Sequence, residues 1–184
     1  MHRDIQRVLI SQYQIMARVK ELAVQITADF PQKDITIVPV LTGAMIFCTD
    51  LIRQIPVQMH IGLLAVSSYP GASLSTQGSQ LIGQQVGDIR GRHVLLVDDI
   101  LDSGGTVRLI VPLLRQLGAA EVKTCVLLRK DRPAAMKTHV DYVGFEIPDE
   151  FVVGYGLDYN NYYRNLPDIV TLTPEAIERM KDAS

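Results

Sequence analysis

The sequence predicts an α/β fold in one domain spanning residues 1–184, with a mostly parallel central sheet flanked by helices. Three observations carry this expectation. Short β-branched runs alternate with segments of helical periodicity. No repeat, linker or low-complexity stretch divides the chain, and its length suffices for a single packed core. Hydrophobic residues make up 47% and charged residues 21%, which excludes a disordered or fibrous chain.

Taken in order, residues 5–30 place Ile5, Leu9, Met16, Val19, Leu22, Ala23 and Ile26 at helical spacing, and Pro31 closes that helix. Ile35–Leu41 is short and β-branched, hence a strand; Thr42-Gly43 turns the chain into a helix beginning at Met45. Residues 57–66 read as one further strand. Residues 67–85 are rich in Ser, Gly and Gln and carry no charge, the composition of a functional loop. The apolar run at 94–97 reads as a buried strand, followed by a turn crowded with Asp98, Asp99 and Asp102. Val107, Leu109, Ile110, Leu113, Leu114 and Leu117 then mark a helix. Strands follow at 122–128, 140–145 and 169–172, and a last helix has Thr173 as its cap and Pro174 at its first position.

Several function classes are excluded. The net charge is −2 and no Lys/Arg-rich block occurs, which argues against a nucleic-acid-binding surface. The run from Ile61 to Val66 is far too short to span a bilayer, and the N-terminal residues lack the apolar stretch of a signal peptide, so no membrane partner and a cytoplasmic location are expected. Cys48 and Cys125 each sit in an apolar pattern and read as reduced core residues.

The most informative stretch is Asp98-Asp99-Ile100-Leu101-Asp102-Ser103-Gly104-Gly105-Thr106. In a sheet of this kind ligands bind beyond the carboxyl ends of strands. Backbone N–H groups and hydroxyls where a helix begins suit a phosphate. Carboxylates just before them suit hydroxyls, a metal or a proton. A sugar phosphate makes both demands. The P-loop pattern and the dinucleotide fingerprint are both absent.

Three segments, in order, carry a family resemblance over nearly the whole chain. Residues 94–107 resemble the 5-phosphoribosyl-1-diphosphate (PRPP) motif of type I phosphoribosyltransferases. Residues 143–160, including Phe145-Glu146-Ile147-Pro148-Asp149-Glu150-Phe151-Val152-Val153-Gly154-Tyr155-Gly156-Leu157-Asp158, resemble the C-terminal signature of the hypoxanthine-guanine branch. Ser67-Ser68-Tyr69 resembles the start of that family's mobile catalytic loop.

The resemblance implies a type I phosphoribosyltransferase fold with a small hood formed by terminal segments. It also implies a purine-salvage reaction in which hypoxanthine or guanine displaces pyrophosphate from PRPP, giving IMP or GMP. By the same resemblance Asp98 and Asp99 hold the ribose hydroxyls. Asp102, Ser103, Gly104, Gly105 and Thr106 wrap the 5-phosphate, and Asp102 is the general acid/base at purine N7. Thr42, Gly43 and Arg164 face the pyrophosphate; Ser68 and Tyr69 close over the reacting centre. Lys130 donates to the purine O6, Phe151 stacks on the ring and the Val152 backbone reads its edge. The implied cofactor is Mg²⁺, with Asp98, Asp99 and Asp158 as candidate ligands, and the implied assembly is a homodimer or homotetramer. The chain departs from the family's pattern twice: Thr42 stands where most relatives carry Lys, and Asp98 where many carry Glu. Arg129 is a second cation beside Lys130, and either could face inward. A PRPP-sensing regulator and a xanthine-preferring transferase are the competing readings.

Overall fold

The structure, a computed structural model, describes residues 3–30, 34–67 and 80–182. In chain order its elements are β1 (Ile5–Ile10), α1 (Gln12–Asp29), β2 (Ile35–Leu41), α2 (Met45–Ile52), β3 (Met59–Ile61), β4 (Leu63–Ser67), β5 (Gln80–Gln85), β6 (His93–Leu101), α3 (Gly105–Gln116), β7 (Glu121–Lys130), α4 (Pro133–Lys137), β8 (Tyr142–Ile147), β9 (Ile169–Leu172) and α5 (Pro174–Asp182). The main sheet runs β5-β4-β2-β6-β7-β8, with β3 also paired to β2. Every pairing in it is parallel except β4 with β5.

The two faces of this sheet are buried by different helices, as alternation along β2 and β6 requires. Ile35 and Ile37 of β2 and Leu95 and Val97 of β6 join the core formed with α1 and α2. Val38 and Val40, with Val94 and Leu96, pack against Ile110 and Leu114 of α3. Each such side chain contributes roughly 1.5–3 kcal/mol by leaving water. A second, two-stranded sheet pairs β1 antiparallel with β9 and packs Val170 and Leu172 against Val153 and Ala176. These terminal segments form the small hood. Both cysteines are buried and free, and no helix among the described residues is long and apolar enough to cross a membrane.

Four expectations are corrected. Residues 5–30 are not one helix: Ser11 caps α1, its hydroxyl accepting from the Gln14 amide while the Gln14 side chain accepts from the Ser11 amide at 2.9 Å. That capping box starts the helix at Gln12 and leaves Ile5 and Leu9 in a strand. Residues 57–66 form two short strands broken at Gly62, whose amide donates to the Ile37 carbonyl. The stretch 67–85 is not loop throughout, since residues 80–85 form β5 against β4. Finally, β6 runs on to Leu101, so Asp98 and Asp99 belong to a central strand and only Asp102 lies on the turn.

Candidate active site

The loops after β2, β6 and β7 begin at the carboxyl ends of three adjacent parallel strands, which places Thr42-Gly43, Asp102–Thr106 and Asp131-Arg132 along one edge of the sheet. Asp98 is buried, with 5% of its surface exposed. Burial raises its carboxyl well above the usual range, and the adjacent Asp99 charge pushes the same way. Burial also raises Asp99, opposed by hydrogen bonds to its carboxylate and by the Arg164 charge. The Asp99 amide donates to Asp98 Oδ1 at 3.0 Å and the Ile100 amide to Asp99 Oδ1 at 2.8 Å, which fixes both side chains.

Beyond them the chain turns at Gly104, whose φ of 76° is a left-handed conformation that a side chain would strain. The Ser103 hydroxyl accepts from the Gly105 amide at 3.3 Å. Helix α3 begins at Gly105, directly after this turn, and the N-terminal end of a helix is where a phosphate is favoured.

The Leu41–Thr42 peptide is cis. Gly43 packs so closely on Asp99 that a Cβ there would overlap its carboxylate. The Gly43 carbonyl oxygen in turn presses on Gly156. Arg164 completes this side: it pairs with Asp158 at 2.8 Å, donates to the Gly156 carbonyl at 2.7 Å, and faces Asp99. Gly43 thus adjoins Asp99 and Gly156, and Arg164 joins Gly156 to Asp158.

On the other side Lys130 closes β7 and is buried, with 8% exposed. Its Nζ lies 3.5 Å from both Asp102 Oδ2 and Asp149 Oδ1. Arg129 points elsewhere and pairs with Glu146, so Lys130 is the inward cation. Phe151 is 47% exposed and touches Tyr159 edge-on at 5.1 Å, which makes it an open aromatic platform and not a core residue. Val152 beside it is buried. Ser68 and Tyr69 lie outside the described residues.

Sequence reasoning missed two members of the site. Arg132 donates from Nη1 to Asp102 Oδ1 and from Nε to Asp149 Oδ2, each at 2.5 Å. With Lys130 these carboxylates form a closed ring of four charges, and Arg132 holds the Asp149 carboxyl below its ordinary range. Asp149 stands inside the C-terminal signature, so its position, though not its partner, was in view.

Among the described residues no three His, Cys, Asp or Glu side chains gather into a group able to hold a metal ion. Asp98 and Asp99 adjoin, and Asp158 stands across Arg164 from them. Hard oxygen donors of this kind fit Mg²⁺ only if substrate oxygens and water supply most of its shell.

A left-handed glycine turn into a helix start, two carboxylates at a strand end and a buried lysine lie along one sheet edge, and a phosphoribosyl transferase domain matches residues 9–160. A hypoxanthine-guanine phosphoribosyltransferase of Bacillus subtilis is 40% identical over 97% of this chain and 99% of its own length. A solved hypoxanthine phosphoribosyltransferase of Staphylococcus aureus superposes with a TM-score of 0.87 at 40% identity, covering 95% of each chain. The bifunctional TilS/HprT protein of Listeria innocua is 41% identical over 95% of this chain, which spans 27% of that longer protein. This chain belongs to the hypoxanthine-guanine phosphoribosyltransferase family.

Proposed function

We propose that residues 1–184 act as one phosphoribosyltransferase domain that transfers the phosphoribosyl group of PRPP to hypoxanthine or guanine, giving IMP or GMP and pyrophosphate in purine salvage. The observation that carries this reading is the buried Lys130 beside Asp102, one loop from the open ring of Phe151. Lysine donates and cannot accept, so it suits the O6 of a 6-oxopurine and not the amino group of adenine.

The residues divide the work. Asp98 and Asp99 accept from the ribose hydroxyls, and the Asp102–Thr106 turn holds the 5-phosphate through amides and the Ser103 and Thr106 hydroxyls. The Thr42-Gly43 backbone and Arg164 hold the pyrophosphate as it departs. The transition state resembles an oxocarbenium ion, so catalysis here rests on positioning and electrostatics without a protein nucleophile. Mg²⁺, when bound with PRPP near Asp98, Asp99 and Asp158, supplies positive charge to the phosphate oxygens. Phe151 stacks on the purine, the Val152 backbone reads its edge, and Asp102 moves the proton at N7. Ser68 and Tyr69 would close over the centre and exclude water. The active form is a homodimer or homotetramer in the cytoplasm, with no nucleic-acid or membrane partner.

The test is a panel of hypoxanthine, guanine, xanthine, adenine and uracil, each with PRPP and Mg²⁺. Turnover confined to hypoxanthine and guanine is expected. No turnover with any 6-oxopurine, or RNA binding that survives physiological salt, overturns the reading.

A further inference from the structure

We propose that Arg132 is a positioning residue for the transfer reaction: it pins one oxygen of Asp102 so that the other meets the purine proton. The inference rests on the proposed role of Asp102 and goes beyond it.

Both Asp102 oxygens are occupied in the ring of charges, but unequally. Lys130 Nζ sits 3.5 Å from Oδ2, the outer limit of a hydrogen bond, whereas Arg132 Nη1 is 2.5 Å from Oδ1. Lys130 makes an equally long contact with Asp149 Oδ1. A base whose O6 draws Lys130 away therefore breaks only two long contacts and frees Oδ2. Arg132 stays, because its planar head spans two carboxylates, Nη1 on Asp102 and Nε on Asp149. Asp102 sits on a turn, and its side chain and that of Arg132 are 41% and 43% exposed. An ion pair this exposed adds little to stability, so its consequence is orientation.

The chemistry then has a defined acceptor. As N9 bonds to C1 of the ribose and the bond from C1 to the pyrophosphate oxygen breaks, the N7–H bond breaks and Oδ2 takes the proton. The electron pair left on N7 neutralises the purine, and the pyrophosphate leaves with the electrons of its broken bond.

The experiment is a double-mutant cycle of Arg132→Gln and Asp102→Asn, with Arg132→Lys alongside, reading kcat and the KM for PRPP. Arg132→Gln is expected to lower kcat by roughly 10²-fold with the KM for PRPP unchanged. In the Asp102→Asn background it should cost nothing further, since its partner in the reaction is gone. Arg132→Lys should recover part of the loss, because one ammonium reaches one carboxylate at a time. Equal losses in both backgrounds, or a loss confined to the KM for PRPP, overturn the role of Arg132 and leave that of Asp102 standing. Near-normal turnover of Asp102→Asn alone overturns the proton role itself and this inference with it.

Discussion

Replacing Phe151 by Ala separates a base platform from a core residue by magnitude alone. The ring is 47% exposed, and the contact the structure gives it is edge-on to Tyr159 at 5.1 Å and 69°. A buried phenylalanine costs about 3–5 kcal/mol when truncated. Here about half the ring surface already faces water, and an edge-to-face pair is worth about 0.5–1.5 kcal/mol. The loss in folding stability should therefore fall near 1 kcal/mol, a small shift in a urea midpoint. Stacking of a base on an aromatic ring is worth about 1–3 kcal/mol, so the KM for hypoxanthine should rise about 5- to 150-fold. The KM for PRPP should stay put, because the residues proposed to hold PRPP, the Asp102–Thr106 turn, Thr42-Gly43 and Arg164, lie on other loops of the sheet edge. Initial rates with each substrate varied in turn, together with urea melts, decide the matter. A loss of several kcal/mol in stability with an unaltered KM for hypoxanthine would refute the platform.

Two further outcomes follow from the same geometry. Lys130→Met keeps the length of a buried side chain while removing its charge, and should raise the KM for the purine by about 10²-fold with PRPP affected far less; equal effects on both substrates would place Lys130 outside the base pocket. Asp98→Asn tests the buried pair through pH. Because burial raises Asp98, the native protein keeps a proton that the unfolded chain loses above about pH 4, so metal-free wild type loses stability as pH climbs from there to the raised native value. The Asn variant lacks that titration and should show a flatter decline in Tm toward neutral pH while losing activity; parallel Tm profiles would show that Asp98 carries no such cost.

What the sequence made legible was local. The Asp102–Thr106 turn, the Thr42-Gly43 loop and Lys130 are each written in residues adjacent in the chain, and each lies at a strand end. The β1 strand was not legible, because its partner is β9, with Ile5 opposite Leu172 at the far end of the chain. Its apolar residues at i and i+4 fit a helix as well as a strand, and only the Ser11–Gln14 capping box sets the boundary. In the sequence alone, Asp98 and Asp99 follow the apolar run and fall on the turn after it. Pairing with β7, which continues through Asp98 and Ile100 to Leu101, keeps them in the strand. The choice between Arg129 and Lys130 is made by alternation along β7, which sends neighbours to opposite faces. Arg132 and Asp149 become partners only once β7 and β8 lie side by side.

The different roles proposed for Asp98, Asp99 and Asp102 accord with how differently the backbone holds them. Asp98 and Asp99 sit in β6, the first buried and the second partly so, each with a backbone amide on its carboxylate. They cannot turn, and their burial disfavours their own charge. Groups so fixed suit a partner that arrives in one pose and brings donors, such as a pair of ribose hydroxyls or a cation. Asp102 lies past the end of the strand, partly exposed, and its orientation comes from side chains of β7 and the loop beyond it. A group that must release one partner, accept a proton and give it up again needs that freedom. Moving Asp102 one residue back into β6 should fix it as rigidly as its neighbours and remove the exchange with Lys130 on which the proposed proton transfer depends.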